Sequence, residues 1–294
     1  MRLRHVALLM VVFAALLTGC GREQTRLSVT ARDFGFTGVG EAISGGNVQI
    51  SFKNEGKADH ELAFIDIGDT SFETFAPIFT KFFAAEGGPF PKELKRLTGA
   101  GFLEPGKSLT TTITLPKGKY VMMCALDDAP GPGGKTIKPH FTLGMRQAVT
   151  VDGPDDVELD APVAGTFHIQ DYTFVPPKDL KAGKQTYGVV NDGPKQWHFM
   201  SIQEFAKKGL SPARVEAAFA KALQTPDQDT PPPPGIPEPT EFFDSFVFSP
   251  GNGQTFEADF KSGYTYLAVC FIQDLAGGPP HAIAHKMYKA FTVA

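Results

Sequence analysis

Hydrophobic and polar residues alternate along much of the chain, in short runs that are separated by turns. Residues 27–31 read LSVTA, residues 48–52 read VQISF, and residues 109–115 read LTTTITL. Alternation with a period of two is typical of strands that have one buried face, and clusters of Gly, Pro, Asn and Asp bound these runs. The pattern predicts a chain built mainly from short β-strands.

Two stretches have the spacing of a helix instead. The first carries apolar residues at Phe75, Phe79, Phe82 and Phe83. Pro77 is expected near the first turn of this helix, where proline is tolerated. The second stretch has Ser211 as N-cap and Pro212 at the first helical position, followed by an apolar face. We expect the phenylalanine-faced helix to cover a layer of strands.

The second half of the chain repeats the pattern of the first. Residues 33–36 (DFGF) correspond to residues 171–174 (DYTF), and residues 54–56 (NEG) correspond to residues 191–193 (NDG). Each half also carries its helical stretch at the same point of the pattern. The chain therefore consists of two structural repeats.

The segment between the repeats, residues 152–162, is acidic and rich in turn-forming residues, as a linker is. Many short strands with Gly and Pro turns favour β-sandwiches. We predict an all-β fold of two tandem β-sandwich domains, residues 20–155 and 156–294, each with a short helical insertion.

The composition agrees with a globular protein of this size. The chain has 294 residues, of which 42% are hydrophobic and 20% are charged, so that it can bury sizeable cores. The formal net charge is −4, which gives no basic surface, and we expect no nucleic-acid partner. The 26 phenylalanines are expected to dominate the cores.

Residues 1–19 have the composition of an export signal. Two arginines precede an apolar run that is too short for a transmembrane anchor. The run ends in Leu17–Thr18–Gly19–Cys20, which resembles a bacterial lipoprotein signal. The resemblance implies cleavage before Cys20, a lipid on that residue, and a protein anchored to the cell membrane on its extracytoplasmic side, periplasmic or cell-surface. The alternative is an ordinary secretory signal that ends in cysteine.

Four residues of the first half have the chemistry of a copper site: His60, Cys124, His140 and Met145. Two imidazoles and a thiolate with a weak axial thioether are the ligands of a blue-copper centre. In a Greek-key sandwich, the strand end that bears His60 and the connection that bears the other three meet at one end of the domain. Taken singly, such a cysteine is more often a small buried hydrophobic residue, and such a methionine is part of a core.

The second half contains the same series of residues: His198, Cys270, His281 and Met287. Because all four recur in halves of different sequence, we expect one copper ion per domain. His285 is an alternative ligand, since the spacing between His281 and Met287 is one residue longer than in the first half. A disulfide between Cys124 and Cys270 is the other alternative for two cysteines of an exported protein.

The chain resembles the cupredoxin family at these positions. The resemblance is carried by Asn54 followed by His60, by the strand from Tyr120 to Cys124, and by the ending His140-Phe-Thr-Leu-Gly-Met145. It implies Greek-key β-sandwiches, copper, and outer-sphere electron transfer with a redox partner protein. The chain departs from the family in its long connection between Cys and His, which is fifteen residues in the first half and ten in the second.

We therefore expect a membrane-anchored, extracytoplasmic copper-binding protein that transfers electrons through type-1 copper. The alternatives are a copper-binding or copper-delivery module and a copper-free surface binding protein of cupredoxin fold. Multicopper oxidases resemble the chain in their tandem domains but use His-x-His pairs, and the sequence has none. On this ground we expect that the protein is not an enzyme.

Overall fold

The computed structural model of the chain describes residues 24–84, 88–126, 138–224 and 232–294. The expected export signal and the lipid-bearing Cys20 lie outside these residues, as does the side chain of Phe83. Within the described residues, none of the helices is both long enough and apolar enough to span a membrane.

The described residues of the first half form mainly strands. In chain order these are β1 (Thr25–Arg32), β2 (Gly35–Thr37), β3 (Ala42–Ser44), β4 (Gly46–Asn54), β5 (His60–Asp66), β6 (Arg96–Leu103), β7 (Ser108–Leu115), β8 (Gly118–Met123) and β9 (Arg146–Asp152). Helix α1 (Phe72–Ala84) lies between β5 and β6, where the phenylalanine spacing predicts it. Pro77 lies inside α1 and not in its first turn, so the helix lacks one backbone hydrogen bond there.

The second half follows the same order. Its strands are β10 (Thr166–Gln170), β11 (Thr173–Val175), β12 (Gly183–Asn191), β13 (Ser201–Phe205), β14 (Thr240–Asp244), β15 (Gly253–Phe260), β16 (Thr265–Val269) and β17 (Tyr288–Thr292). Helix α2 (Pro212–Ala222) begins at Pro212 as predicted, although the side chain of Ser211 makes no capping hydrogen bond. A single-turn helix, α3 (His281–Ala284), precedes β17.

The strands form three sheets, and the largest is shared by the two halves. Its order is β11-β10-β12-β15-β7-β4-β1-β2. The first half adds the sheet β3-β9-β8-β5-β6, and the second half adds the sheet β14-β13-β16-β17. The repeat is visible in the pairing, because β1 runs parallel to β4 and β10 runs parallel to β12. The predicted all-β class, two tandem β-sandwiches with helical insertions, is confirmed.

Buried threonines join the two halves where β7 meets β15. Oγ1 of Thr111 donates to the carbonyl of Thr255 at 2.6 Å. Oγ1 of Thr114 accepts the N–H of Gly253 at 2.9 Å and the side-chain amide of Asn252 at 3.1 Å. Since the hydroxyls of Thr111 and Thr114 have partners across the seam, these two buried polar groups are satisfied inside the molecule.

The apolar cores also connect the halves. One core lies between the sheets of the first half and includes Phe52 and Tyr120. A larger core continues from the face of α1, with Phe75 and Phe79, into the second half, where it includes Phe167. The phenylalanine face of α1 is therefore buried, and the helix packs against residues of both repeats.

Candidate metal centres

Three ligand-type side chains of the first half meet at one end of its sandwich. His60 begins β5, Cys124 follows β8, and His140 begins a 3-10 turn, His140–Leu143. One donor atom from each of them lies within 4.8 Å of the other two, and all three side chains are buried. Residues that lie far apart in the sequence are thus brought into one group.

The second half contains the matching group. His198 follows β12 and bridges to Phe248, Cys270 follows β16, and His281 begins α3. Their donor atoms also lie within 4.8 Å of one another, and the three side chains are buried. The structure therefore brings together the histidines and the cysteine that the sequence singles out in each repeat.

A buried asparagine shapes the turn before the first histidine of each group. The side-chain amide of Asn54 donates to the carbonyls of Ala58 and Leu103 at 2.9 and 2.8 Å, and its Oδ1 accepts the N–H of Gly56 at 2.8 Å. Asn191 donates to two carbonyls at 2.9 Å and accepts the N–H two residues further on at 3.0 Å. The repeated motifs NEG and NDG thus set the entry of the strand that follows.

Three backbone hydrogen bonds close the segment that bears the remaining ligand-type residues. The N–H of Phe141 donates to the carbonyl of Cys124 at 2.9 Å, that of Cys124 to the carbonyl of Met145 at 3.2 Å, and that of Met145 to the carbonyl of His140 at 3.1 Å. The second half has the same three bonds, at 2.9, 3.1 and 3.1 Å. Connections of different length therefore end in the same local geometry.

The donor atoms of the first group face one another closely. Nδ1 of His60 lies 3.2 Å from Nδ1 of His140, which lies 3.4 Å from Sγ of Cys124. Nε2 of His60 lies 2.8 Å from Oδ1 of Asp33. Because a carboxylate accepts, we assign the proton to Nε2, which leaves the lone pair of Nδ1 for a metal ion.

Several donors hold the Asp33 carboxylate in its charged form. Burial alone would raise the pKa of Asp33, but the hydrogen bond from His60 and those from the N–H groups of Lys57 and Ala58 outweigh burial and lower the pKa below its usual value. Asp33 thus orients His60 and fixes the preceding turn at the same time.

Glu61 connects the first histidine with the cysteine. Its N–H donates to Sγ of Cys124 at 3.3 Å, and its carboxylate accepts the N–H of Ala125 at 2.8 Å. Burial raises the pKa of Glu61 to about 7, although the hydrogen bond from Ala125 acts in the opposite direction. Phe199 stands at the equivalent position of the second half, so the carboxylate contact belongs to the first site.

In the second group, the first histidine lies farther from the matching aspartate than in the first group. Sγ of Cys270 lies 3.4 Å from Nδ1 of His281 and 3.9 Å from Nδ1 of His198. Nε2 of His281 lies 3.2 Å from Oδ1 of Asp274. Nε2 of His198 lies 3.9 Å from Oδ1 of Asp171, and among the described residues neither of these two atoms has a hydrogen-bond partner.

Burial keeps the second group uncharged. It lowers the pKa of His198 to about 3 and also lowers the pKa of His281, against the opposing effect of Asp274. It raises the pKa of the Cys270 thiol to about 12. Neutral imidazole is the form that binds a metal ion, whereas the thiol has to release its proton when a metal binds.

His285, the alternative ligand, lies outside the second group. Its Nε2 lies 2.9 Å from Oδ2 of Asp274, and its ring stacks on Tyr172 with the ring centroids 3.6 Å apart. The hydroxyl of Tyr172 donates to Oδ1 of the same carboxylate at 2.7 Å. The structure therefore pairs His281 with Cys270 and leaves His285 at the surface of the site.

The methionines and cysteines lie in the cores beside the two groups. Met145 shares a core with Cys124, Met287 shares one with Cys270, and all four side chains are fully buried. In the part of the chain that the structure describes, Cys124 and Cys270 do not form the alternative disulfide. The donor set of each site, two imidazoles and a thiol beside a buried thioether, fits copper.

The carboxylates around the sites do not follow from ligand spacing alone. Asp33 and Asp171 occupy matching places in the repeat, which is the signal that could have revealed them. Asp274 lies four residues after Cys270, and Asp128 has the same spacing from Cys124 but lies outside the described residues. Asp33 and Asp274 each lie within hydrogen-bond distance of an imidazole that the sequence does identify.

No protein-family model matches the sequence, and no curated protein matches it. Solved structures with a similar fold include a reduced auracyanin from Roseiflexus castenholzii, which is 20% identical with a TM-score of 0.30 over 44% of this chain and 98% of that one. A multicopper oxidase is 13% identical with a TM-score of 0.25, over 92% and 88% of the two chains. A copper nitrite reductase from Nitrosomonas europaea is 11% identical with a TM-score of 0.24, over 92% and 94%.

With these identities and TM-scores, the similarity concerns the fold only and assigns no function to any residue. The sheets and the two His–Cys–His groups define the class: a tandem cupredoxin-like protein with a copper-type site in each half.

The expectation that the protein is not an enzyme is wrong. It depends on the missing His-x-His pairs, yet the solved structures of similar architecture include a multicopper oxidase and a copper nitrite reductase. Missing His-x-His pairs exclude a copper cluster built from such pairs and nothing more. They are no ground for excluding a reaction at the two groups described above.

Proposed function

We propose that the protein is an extracytoplasmic, membrane-anchored copper protein that binds one copper ion in each half and transfers electrons to a redox partner protein. The observation that carries the proposal is the duplicated group of two imidazoles and a thiol, buried in both halves and closed by the same backbone bonds. This donor set, completed by a weak axial thioether, is that of blue-copper electron-transfer sites.

Each residue type has a distinct role in this proposal. His60, Cys124 and His140 would hold the first ion, and the thioether of Met145 would be a further, weaker ligand. The corresponding ligands of the second ion would be His198, Cys270, His281 and Met287. When bound, copper supplies a centre that gains and loses one electron. The protein supplies a buried shell whose ligand segments are braced by backbone bonds, so that the ligands move little between the two oxidation states.

Titration of the purified, reduced protein with Cu(II) tests the proposal. We expect two equivalents to bind and an intense thiolate-to-copper absorption band to develop. Cys124→Ser and Cys270→Ser should each remove the part of the absorption band that comes from one site. The double variant should remove the whole band. Met145→Leu is the control, because loss of an axial thioether should keep the colour and raise the potential of the first site. A wild-type protein without the band would contradict the electron-transfer function.

The membrane anchor is tested separately. It is supported by the sequence ending in Cys20 after a basic and apolar segment. Cys20→Ala should block lipidation, and the protein should then leave the membrane fraction or remain unprocessed. A variant that is processed normally and stays in the membrane fraction would contradict the anchor and leave the copper sites untouched.

A further inference from the structure

A row of aromatic side chains runs from one candidate metal site to the other. Neighbouring ring centroids are 5.5 Å apart for Phe141 and Phe79, 6.2 Å for Phe79 and Phe82, 4.7 Å for Phe82 and Phe90, and 5.1 Å for Phe90 and Trp197. We call these five residues the aromatic bridge. One end directly follows His140 in the sequence, and the other directly precedes His198.

The segment after α1 is tied to the ligand segment of the second site. The N–H of Phe90 donates to the carbonyl of Leu275 at 3.0 Å, and the N–H of Leu275 donates to Oε1 of Gln196 at 3.0 Å. The side chain of Gln273 donates to the carbonyl of Gly88 at 3.1 Å. Since Gln273 and Leu275 lie between Cys270 and His281, the insertion of the first half holds the second site directly.

The insertion of the second half has different contacts. In α2, the ring of Phe219 lies 5.2 Å from that of Tyr288 and 6.4 Å from that of Phe271, and both partners belong to the second half. The two insertions stand at the same point of the repeat, yet the aromatic contacts of α1 lead from its own repeat into the other. A helix that only covered its own sandwich would not need them.

The aromatic bridge is packed into the larger core. Phe141 is fully buried, Phe79 and Trp197 are each 5% exposed, and Phe82 and Phe90 pack against the same cluster. Electron exchange between fixed centres weakens steeply across gaps, because orbital overlap is lost more quickly through empty space than through packed atoms. A close-packed interior is therefore the best available medium between two buried sites.

We propose that the two sites exchange electrons within one molecule, and that the aromatic bridge is the route. Copper(I) at one site loses one electron and copper(II) at the other gains it, so the step is balanced without a proton or an outside oxidant. The inference rests on copper binding at both sites. It assigns to α1 a role in connecting the sites, and a measurement of the coupling between them tests that role.

The test uses the full chain with both sites loaded with copper. Cys270→Ser and Cys124→Ser first give the spectrum of each site by itself. A Met145→Leu background then raises the potential of the first site, so that electrons move from the second site to the first. After a brief photochemical reduction by less than one equivalent, we expect the sites to re-equilibrate at a rate that is independent of protein concentration.

Phe82→Leu in this background removes one ring of the aromatic bridge and keeps an apolar side chain, and we expect the re-equilibration to slow at least several-fold. Phe219→Leu makes the same change on α2 and should leave the rate unchanged. Thermal melting of the two metal-free variants shows whether they are similarly folded. An unchanged rate in Phe82→Leu, or a rate that depends on protein concentration, would overturn the proposal. Copper stoichiometry below two in the parent protein would instead count against the proposed function.

Discussion

Nε2 of His60 donates a hydrogen bond to Oδ1 of Asp33 at 2.8 Å, and this bond decides which nitrogen of the ring is free. With the proton on Nε2, Nδ1 keeps its lone pair and faces Nδ1 of His140 at 3.2 Å. The equivalent atoms of His198 and Asp171 are 3.9 Å apart. The two sites therefore share their ligand types but differ in the group that orients the first imidazole.

Asp33→Ala should weaken copper binding at the first site by about 10- to 100-fold, the usual cost of losing the partner that orients a histidine ligand. The variant also loses the bonds to the N–H groups of Lys57 and Ala58, which hold the turn before His60. Competition with a copper chelator, in a Cys270→Ser background that leaves only the first site, measures the change.

Two further variants separate the causes. Asp33→Asn keeps an acceptor for His60 and for the turn, so it should lose less affinity than Asp33→Ala. Asp171→Ala in a Cys124→Ser background should also lose less copper affinity than Asp33→Ala does at the first site. The reason is that the Asp171 carboxylate makes no hydrogen bond to His198. Equal losses in the alanine variants of the two sites would show that Asp33 has no special orienting role.

The ligand groups could be predicted because their residue types form a recognisable pattern in the sequence, and this pattern occurs in both repeats. The order His, Cys, His, Met recurs in both repeats, and thiols and imidazoles are rare enough in this chain for the repetition to be informative. The carboxylates were missed for the opposite reason. Aspartate is a common residue, so its presence alone indicates little. Asp33 contacts His60 because Asn54 holds the turn before His60 in place, and this tertiary contact cannot be seen in the sequence.

The fold was predictable to a similar extent. Alternation predicts the strands, and apolar spacing predicts α1 and α2, because these signals are local. The shared sheet is not local, since β7 and β15 are brought together from opposite halves and the threonines between them look like the polar face of an ordinary strand. The position of Pro77 inside α1 is likewise a case in which tertiary packing outweighs helix propensity.

His285 provides the second prediction. His285→Gln should keep the copper stoichiometry and the thiolate band of the second site, because its ring pairs with Asp274 and Tyr172 and stands outside the group around Cys270. Absorption spectroscopy of the variant in a Cys124→Ser background shows the second site alone. Asp274→Ala is the comparison, and it should weaken binding because Asp274 also holds His281. Loss of the band in His285→Gln would make His285 a ligand.

The third prediction concerns the seam between the halves. Thr114→Val should lower the free energy of unfolding by about 1–3 kcal/mol, because it removes the acceptor of two buried donors, the N–H of Gly253 and the amide of Asn252. Thr110→Val is the control on the same strand, where the hydroxyl is exposed, and it should change stability by less than about 0.5 kcal/mol. Urea unfolding of both variants measures the difference, and equal stabilities would contradict the role of the seam.

Asp244 at the end of β14 gives a prediction that depends on pH. Its Oδ1 is buried without a hydrogen-bond partner among the described residues. Burial raises the pKa of this carboxyl, and the hydrogen bond from Ser201 offsets only part of the effect. A raised pKa in the folded state means that the native protein binds the proton more tightly than the unfolded chain, whose aspartates titrate near pH 4.

The contribution of Asp244 to stability should therefore fall as the pH rises from about 4 through its raised pKa. Asp244→Asn carries no charge at any pH and avoids this loss. We expect the variant to be more stable than the wild type at neutral pH and the difference to shrink as the pH falls toward 4. Chemical unfolding of both proteins across this range measures the difference, with the exposed Asp179→Asn as a surface control that should stay within about 0.5 kcal/mol of the wild type. A stability difference that is the same at all pH values would show that Asp244 is not the group responsible.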